Sequence, residues 1–172
     1  MITVKLKEKD IIKAANEGMD AFVGAFVDKI NEAIGGELTG ETMQLLNADQ
    51  ITLLAYVQMR DEVMDGGFVQ LIHNGYGPFL FKNPFAKALK MWGLTDLSKL
   101  VYSAATLYNK HHEAIEADCS DDEFMLLFER FPDFDDLDDE FVAQEEEFTQ
   151  AIAHYVDDHI DEFAEIVKGS DS

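Results

Sequence analysis

A single cysteine, Cys119, leaves the chain without an internal disulfide or a multi-cysteine metal site within one protomer. The stretch Met1 to Leu6 has neither the apolar core nor the small-residue cleavage site of a secretory signal. No later run approaches the roughly 20 apolar residues that span a bilayer, so the expected protein is cytoplasmic with no membrane association. Basic residues are scarce as well: 13 Lys and Arg stand against 35 Asp and Glu, a formal net charge of -22. The shortage is local. Up to Lys110 there are 13 acids against 11 Lys and Arg, whereas from His111 onward 22 acids face only Arg130 and Lys168. Adaptation to high salt would spread acid over the whole surface, so this asymmetry argues for a local purpose. Direct binding to nucleic acid or to an anionic membrane is disfavoured, and a basic partner is favoured.

Apolar residues are plentiful by contrast, 47% of the chain with thirteen Phe, which is ample for a packed core. A length of 172 residues suits one domain over 1–172, because single cores usually organise on the order of 100 to 200 residues; residues 1–8 and 169–172 are expected to fray. The periodicity is helical, without alternating strands, and predicts an all-α, multi-helix domain. One amphipathic helix is expected from Lys9 to Ile34, stopped by Gly35 and Gly36. Asn47 with Gln50 forms a capping box for a helix from Ala48 to Met64, with Ile51, Leu54, Ala55, Val57 and Val63 on its apolar face. Phe68 to His73 reads as a further helix. Asn83 and Pro84 start the next one, and Thr95 caps another that runs to about Ala117. Ser120 with Glu123 makes a second capping box ahead of Phe124 to Arg130.

The run from Asp133 to Glu140 resembles a disordered acidic tract, but Phe134, Leu137 and Phe141 recur at helical intervals and continue into Phe148, Ile152, Val156, Phe163 and Ile166. A long acidic C-terminal helix is therefore expected. Its outer face would carry Asp133, Asp135, Asp136, Asp138, Asp139, Glu140 and Glu147, then a row Asp157, Asp161 and Glu165 with Asp158 and Glu162 beside it. Carboxylates four residues apart on a helix are about 6 Å apart along its axis. One DNA strand presents a charge about every 3.4 Å. Two adjacent rows of acids would therefore approach the charge density of a strand.

The stretch Glu62 to Gly77 concentrates four of the eleven glycines. Gly66 and Gly67 permit a tight helix corner at which Gln70 and Asn74, one turn apart, would bond to exposed backbone. As a small-ligand or enzyme site the same stretch would offer Glu62, Gln70, His73 and Asn74. No Ser or Cys nucleophile lies nearby, and neither phosphate-binding glycine pattern is present.

It is on these residues that the chain resembles a known family. Glu62-Val63-Met64-Asp65-Gly66-Gly67-Phe68 with Gln70, Asn74 and Gly77, followed by Ala88-Leu89 and Trp92-Gly93, is similar to the central signature of the DNA mimic protein 19 family, and Asn47 with Gln50 fits too. The family usually has Asn where Asp65 stands. The resemblance implies an all-helical domain, commonly a homodimer. In the best-known member it implies an acidic face that imitates DNA phosphates and occupies the DNA-binding surface of a transcription factor. For this chain it implies a non-enzymatic role with no cofactor and a basic DNA-binding protein as partner.

Metal sites have little support. Asp136, Asp138, Glu140 and Glu147 fall at the offsets of a calcium loop, but Phe141 occupies the position that needs Gly, and the apolar stripe predicts helix there. His154 with Asp158 is a weak pair at best, and His111-His112 reads as a wet helix face.

Overall fold

The computed structural model describes residues 2–82 and 84–168. Its fold is all-α, with one short pair of strands. In chain order the elements are β1 (Lys5–Lys7), α1 (Glu8–Glu17), α2 (Met19–Ala33), α3 (Gly40–Met43), α4 (Ala48–His73), α5 (Gly77–Phe81), α6 (Phe85–Met91), α7 (Thr95–Glu116), α8 (Asp121–Arg130), a 3-10 turn (Pro132–Phe134), α9 (Asp135–Asp158), α10 (Ile160–Phe163) and β2 (Glu165–Val167). Two compact units divide the chain, one of residues 2–54 and 147–168 and one of residues 55–146, and the chain passes between them within α4 and within α9.

In the first unit, β1 and β2 pair in parallel with Leu6 opposite Ile166. Residues 5–8, expected to fray, therefore take regular structure: Val4 and Leu6 are almost fully buried, and a short strand lets alternate residues turn inward while Lys5 and Lys7 face water. The fraying expected of residues 169–172 lies outside the described residues. The single helix expected from Lys9 to Ile34 is two, because Gly18 adopts a φ of 128° that breaks the ladder between α1 and α2. Phe26 is fully buried at the centre of this unit, with ring contacts to Phe22 at 5.2 Å and to Phe163 at 6.5 Å.

Asn47 and Gln50 form the expected capping box on α4, with Gln50 N–H donating to Asn47 Oδ1 (2.8 Å) and Asn47 N–H donating to Gln50 Oε1 (3.0 Å). Both side chains also donate across the unit: Asn47 Nδ2 to the Glu162 carbonyl (2.7 Å) and Gln50 Nε2 to the Phe163 carbonyl (3.0 Å). The box at the start of one helix thus satisfies the orphan carbonyls at the end of another.

The helix beginning at Ala48 is not amphipathic as predicted. Leu53, Leu54, Ala55 and Tyr56 are all buried, and four consecutive residues span the full circumference of a helix, which marks a central element. It also does not end at Met64. Helix continues to His73 through one non-helical residue, Gly67, with φ 81° and ψ -179°.

Within the second unit, Phe68 lies between Phe81 and Phe134, each at 6.5 Å, and Tyr56 lies 6.4 Å from Phe141. α7 closely follows its predicted range, although Thr95 is its first residue and Leu94 stands at the cap without a side-chain bond. The start expected at Asn83 falls on a residue outside those described, and Pro84 stands immediately before α6. The Ser120–Glu123 box is present in both directions.

Candidate functional site

The glycine stretch folds into a kink whose polar side chains bond mainly to one another. Gln70 Nε2 donates to Glu62 Oε2 and to Asp65 Oδ2, both at 2.9 Å, and Asn74 Nδ2 donates to Glu62 Oε1 at 2.9 Å. Residues eight apart on a straight helix lie about 12 Å apart along the axis, so the kink is what lets Glu62 reach Gln70 and Asn74. The expectation that Gln70 and Asn74 bond exposed backbone is corrected: they bond carboxylates. An acceptor-only Asp65 fits, because Gln70 supplies the donor. Gly66 gives room for the Gln70 side chain to fold back over it, and a Cβ on Gly77 would run into the Tyr108 ring. The Tyr108 hydroxyl, pushed up to about 12 by burial and by its hydrogen bond to Glu116, stays protonated and donates to that carboxylate at 3.1 Å. His73 is engaged elsewhere: Nδ1 donates to the Ile115 carbonyl at 2.8 Å, and the ring packs on Phe124 with centroids 4.6 Å apart. The four residues suggested for a ligand site are thus split, three in a self-satisfied carboxylate–amide cluster and one bonded to α7.

The kink has a further partner from α9. Gly67 stands where a capping residue would precede the resumed helix, but it has no side chain to accept the first N–H. Asp138, seventy residues from Phe68, supplies the carboxylate: the Phe68 N–H donates to Asp138 Oδ1 at 2.8 Å. A Cβ at position 67 would lie 2.5 Å from Asp138 Oδ2, so this approach requires glycine as much as the positive φ does.

Asp138 is pushed up to about 6. Burial is the largest cause, and the charges of Asp135 and Asp139 add to it, while the bond from Phe68 pulls the other way.

Apart from Asp138, the acids expected on the outer face are exposed: Asp133, Asp135, Asp136, Asp139 and Glu140 in the second unit, and Glu147, Asp157, Asp158, Asp161, Glu162 and Glu165 in the first. Asp138 is half-buried and turned to the kink. Asp133 lies 3.2 Å from His111 Nε2. On the first turns of α9, Asp135 and Asp139 form one row and Asp136 and Glu140 the row beside it, with Phe134 and Phe141 fully buried.

The row Asp157, Asp161 and Glu165 does not exist as predicted. α9 ends at Asp158, Asp161 and Glu162 belong to the separate α10, and Glu165 is on β2. At His159 the ring Nδ1 donates to the Tyr155 carbonyl at 2.8 Å, and the imidazole stacks on the Tyr155 ring at 4.0 Å, a local arrangement that accompanies the end of the helix. The sequence reading also left out the exposed acids of α8, Asp121, Asp122, Glu123 and Glu129, of which the first three were visible as the acidic first turn of a capped helix. Residues 136 to 147 are continuous helix, so the calcium-loop offsets do not converge. Among the described residues no cluster of three or more His, Cys, Asp or Glu is placed to hold a metal ion, and no helix is long and apolar enough to cross a membrane.

Residues 44–159 match the family of DMP19-like proteins. Over 128 residues the chain is 34% identical to the DNA mimic protein DMP19 of Neisseria meningitidis serogroup B (strain ATCC BAA-335 / MC58), an alignment that covers 73% of this chain and 77% of that protein. The matched range contains the glycine kink, its Asp138 partner, and the acids of α9, and stops before Asp161, Glu162 and Glu165.

Proposed function

Because the chain belongs to the DMP19-like family, we propose that it is a non-enzymatic DNA mimic, whose exposed carboxylates occupy the DNA-binding surface of a basic protein such as a transcription factor. The observation that carries this reading is the 34% identity to a DNA mimic protein across most of both chains. The charge pattern supports it. Two adjacent rows at the start of α9 set four exposed carboxylates on a rigid helix, anchored by Phe134 and Phe141, at a density that approaches one strand of DNA. Asp121, Asp122, Glu123 and Glu129 add negative charge within the same unit. In the other unit, Asp157, Asp158, Asp161, Glu162 and Glu165 form a second acidic group, part of it beyond the matched range. The same reading places the protein in the cytoplasm, where DNA-binding proteins are met, and includes a homodimer, which sedimentation equilibrium tests directly.

Charge reversal separates this from an acidic face that is merely solvated. With Asp136, Asp139 and Glu140 changed to Lys, capture of a basic DNA-binding protein from native extract should fall by more than tenfold with no loss of thermal stability. Capture by the native chain should weaken steeply between about 50 and 200 mM salt, over which the Debye length shortens. Capture that ignores both the reversals and the salt contradicts the proposal.

A further inference from the structure

We propose that Asp138 is a positioning residue: its carboxylate, seated in the α4 kink against Gly67 and Phe68, fixes the first turns of α9 and so holds Asp135, Asp136, Asp139 and Glu140 outward, without itself belonging to the surface a partner meets. That these four acids meet a partner rests on the proposed function; the seating of Asp138 does not.

Three observations converge on the seat. The Phe68 N–H opens a helical segment after a non-helical residue, and the acceptor it finds is Asp138 Oδ1 at 2.8 Å. The kink residue is a glycine at which any Cβ would collide with the same carboxylate. Asp138 also departs from its neighbours on α9, since Asp135, Asp136, Asp139 and Glu140 are exposed while it is half-buried.

The surroundings of the seat explain why one carboxylate can organise the others. The negative charge sits at the positive end of the resumed helix. On its own helix it is flanked by Asp135 and Asp139, whose repulsion is relieved when they extend into water. On α4 the acids that precede the kink, Glu62 and Asp65, are occupied by the amides of Gln70 and Asn74 and so do not compete for the Phe68 N–H. From α7, His111 lies 3.2 Å from Asp133, just before the same end of α9. Gly67 and Asp138 thus act as one device, although they are far apart in sequence.

Amide hydrogen exchange and carboxyl titration test the seat without any partner. In the native chain the Phe68 amide should be protected, and the Asp138 side-chain carboxyl signal should titrate with a midpoint near 6. Asp138→Ala should lose about tenfold of the Phe68 protection, the worth of a hydrogen bond to a charged group, and speed exchange at residues 138–142. Asp138→Asn keeps an acceptor oxygen and should restore both. A labelled octa-arginine peptide then reports how the acids are presented. Asp138→Asn should bind it as the native chain does, Asp136→Asn should bind more weakly with Phe68 protection unchanged, and Asp138→Ala should bind more weakly with protection lost.

Equal Phe68 protection in the native chain and Asp138→Ala overturns the proposal, as does a loss of peptide binding in Asp138→Asn as large as that in Asp136→Asn. Should Asp138→Ala fail to fold, an unprotected Phe68 amide in the native chain still overturns it. The exchange and titration results stand whether or not the protein mimics DNA, so failure of the seat and failure of the mimic are told apart.

Discussion

Gly67 carries two demands at once, a φ of 81° and the approach of the Asp138 carboxylate. Gly67→Ala should accordingly destabilise the protein by about 2 to 4 kcal/mol, more than backbone strain alone, as read from the midpoint of chemical denaturation. Gly35→Ala, at a similar φ of 87° but with open space around it, should cost only the strain, about 1 kcal/mol.

Asp138 makes a pH-dependent prediction of definite sign. Its folded pKa lies above the ordinary carboxylate value, so its contribution to stability is fully present below about pH 3.9 and is lost as pH rises through about 6. The stability of the native chain relative to Asp138→Asn should therefore decline between pH 4 and 7 and then level off. A difference that grows with pH over that window would mean that the seat favours the charged form more than burial opposes it.

At the level of elements, Asn47 and Gln50 join the start of α4 to the end of α10 by two hydrogen bonds, on side chains that also bond to each other's backbone. Asn47→Ala removes both a helix cap and a partner for the Glu162 carbonyl, and should cost about 2 kcal/mol, above the roughly 1 kcal/mol of an ordinary cap. Leu6→Ala should cost about 2 to 5 kcal/mol, because the residue is buried in β1 and not frayed.

The sequence made most of this architecture legible where the signal is local. The two capping boxes, the extent of α7 and the apolar stripe through Phe134, Phe141, Phe148, Ile152 and Val156 all depend on residues within a few turns of one another. What escaped depends on distant partners. β1 forms only because β2 lies beside it, the break at His159 does not disturb the apolar pattern, and Leu53 to Tyr56 on α4 are buried on every side of the helix. Asp138 was lost among its acidic neighbours for the same reason: its role is set by a kink whose Phe68 N–H lies seventy positions earlier.

For the whole molecule, the dominant fact is a charge of -22 concentrated after His111. Repulsion among those acids opposes folding and is relieved by screening. The unfolding temperature of the native chain should rise with added NaCl, and rise less in the variant with Asp136, Asp139 and Glu140 changed to Lys. Salt thus acts in opposite directions on stability and on partner capture, a pairing that a surface with evenly mixed charge would not show.

The most direct measurement is competition. A basic protein captured by the immobilised chain at fixed ionic strength is challenged with increasing duplex DNA, with an uncharged polymer as control. A DNA mimic and DNA cannot occupy the same surface, so the account predicts that the duplex releases the captured protein in proportion to that protein's affinity for DNA. Formation of a stable three-way complex of chain, captured protein and duplex would contradict it.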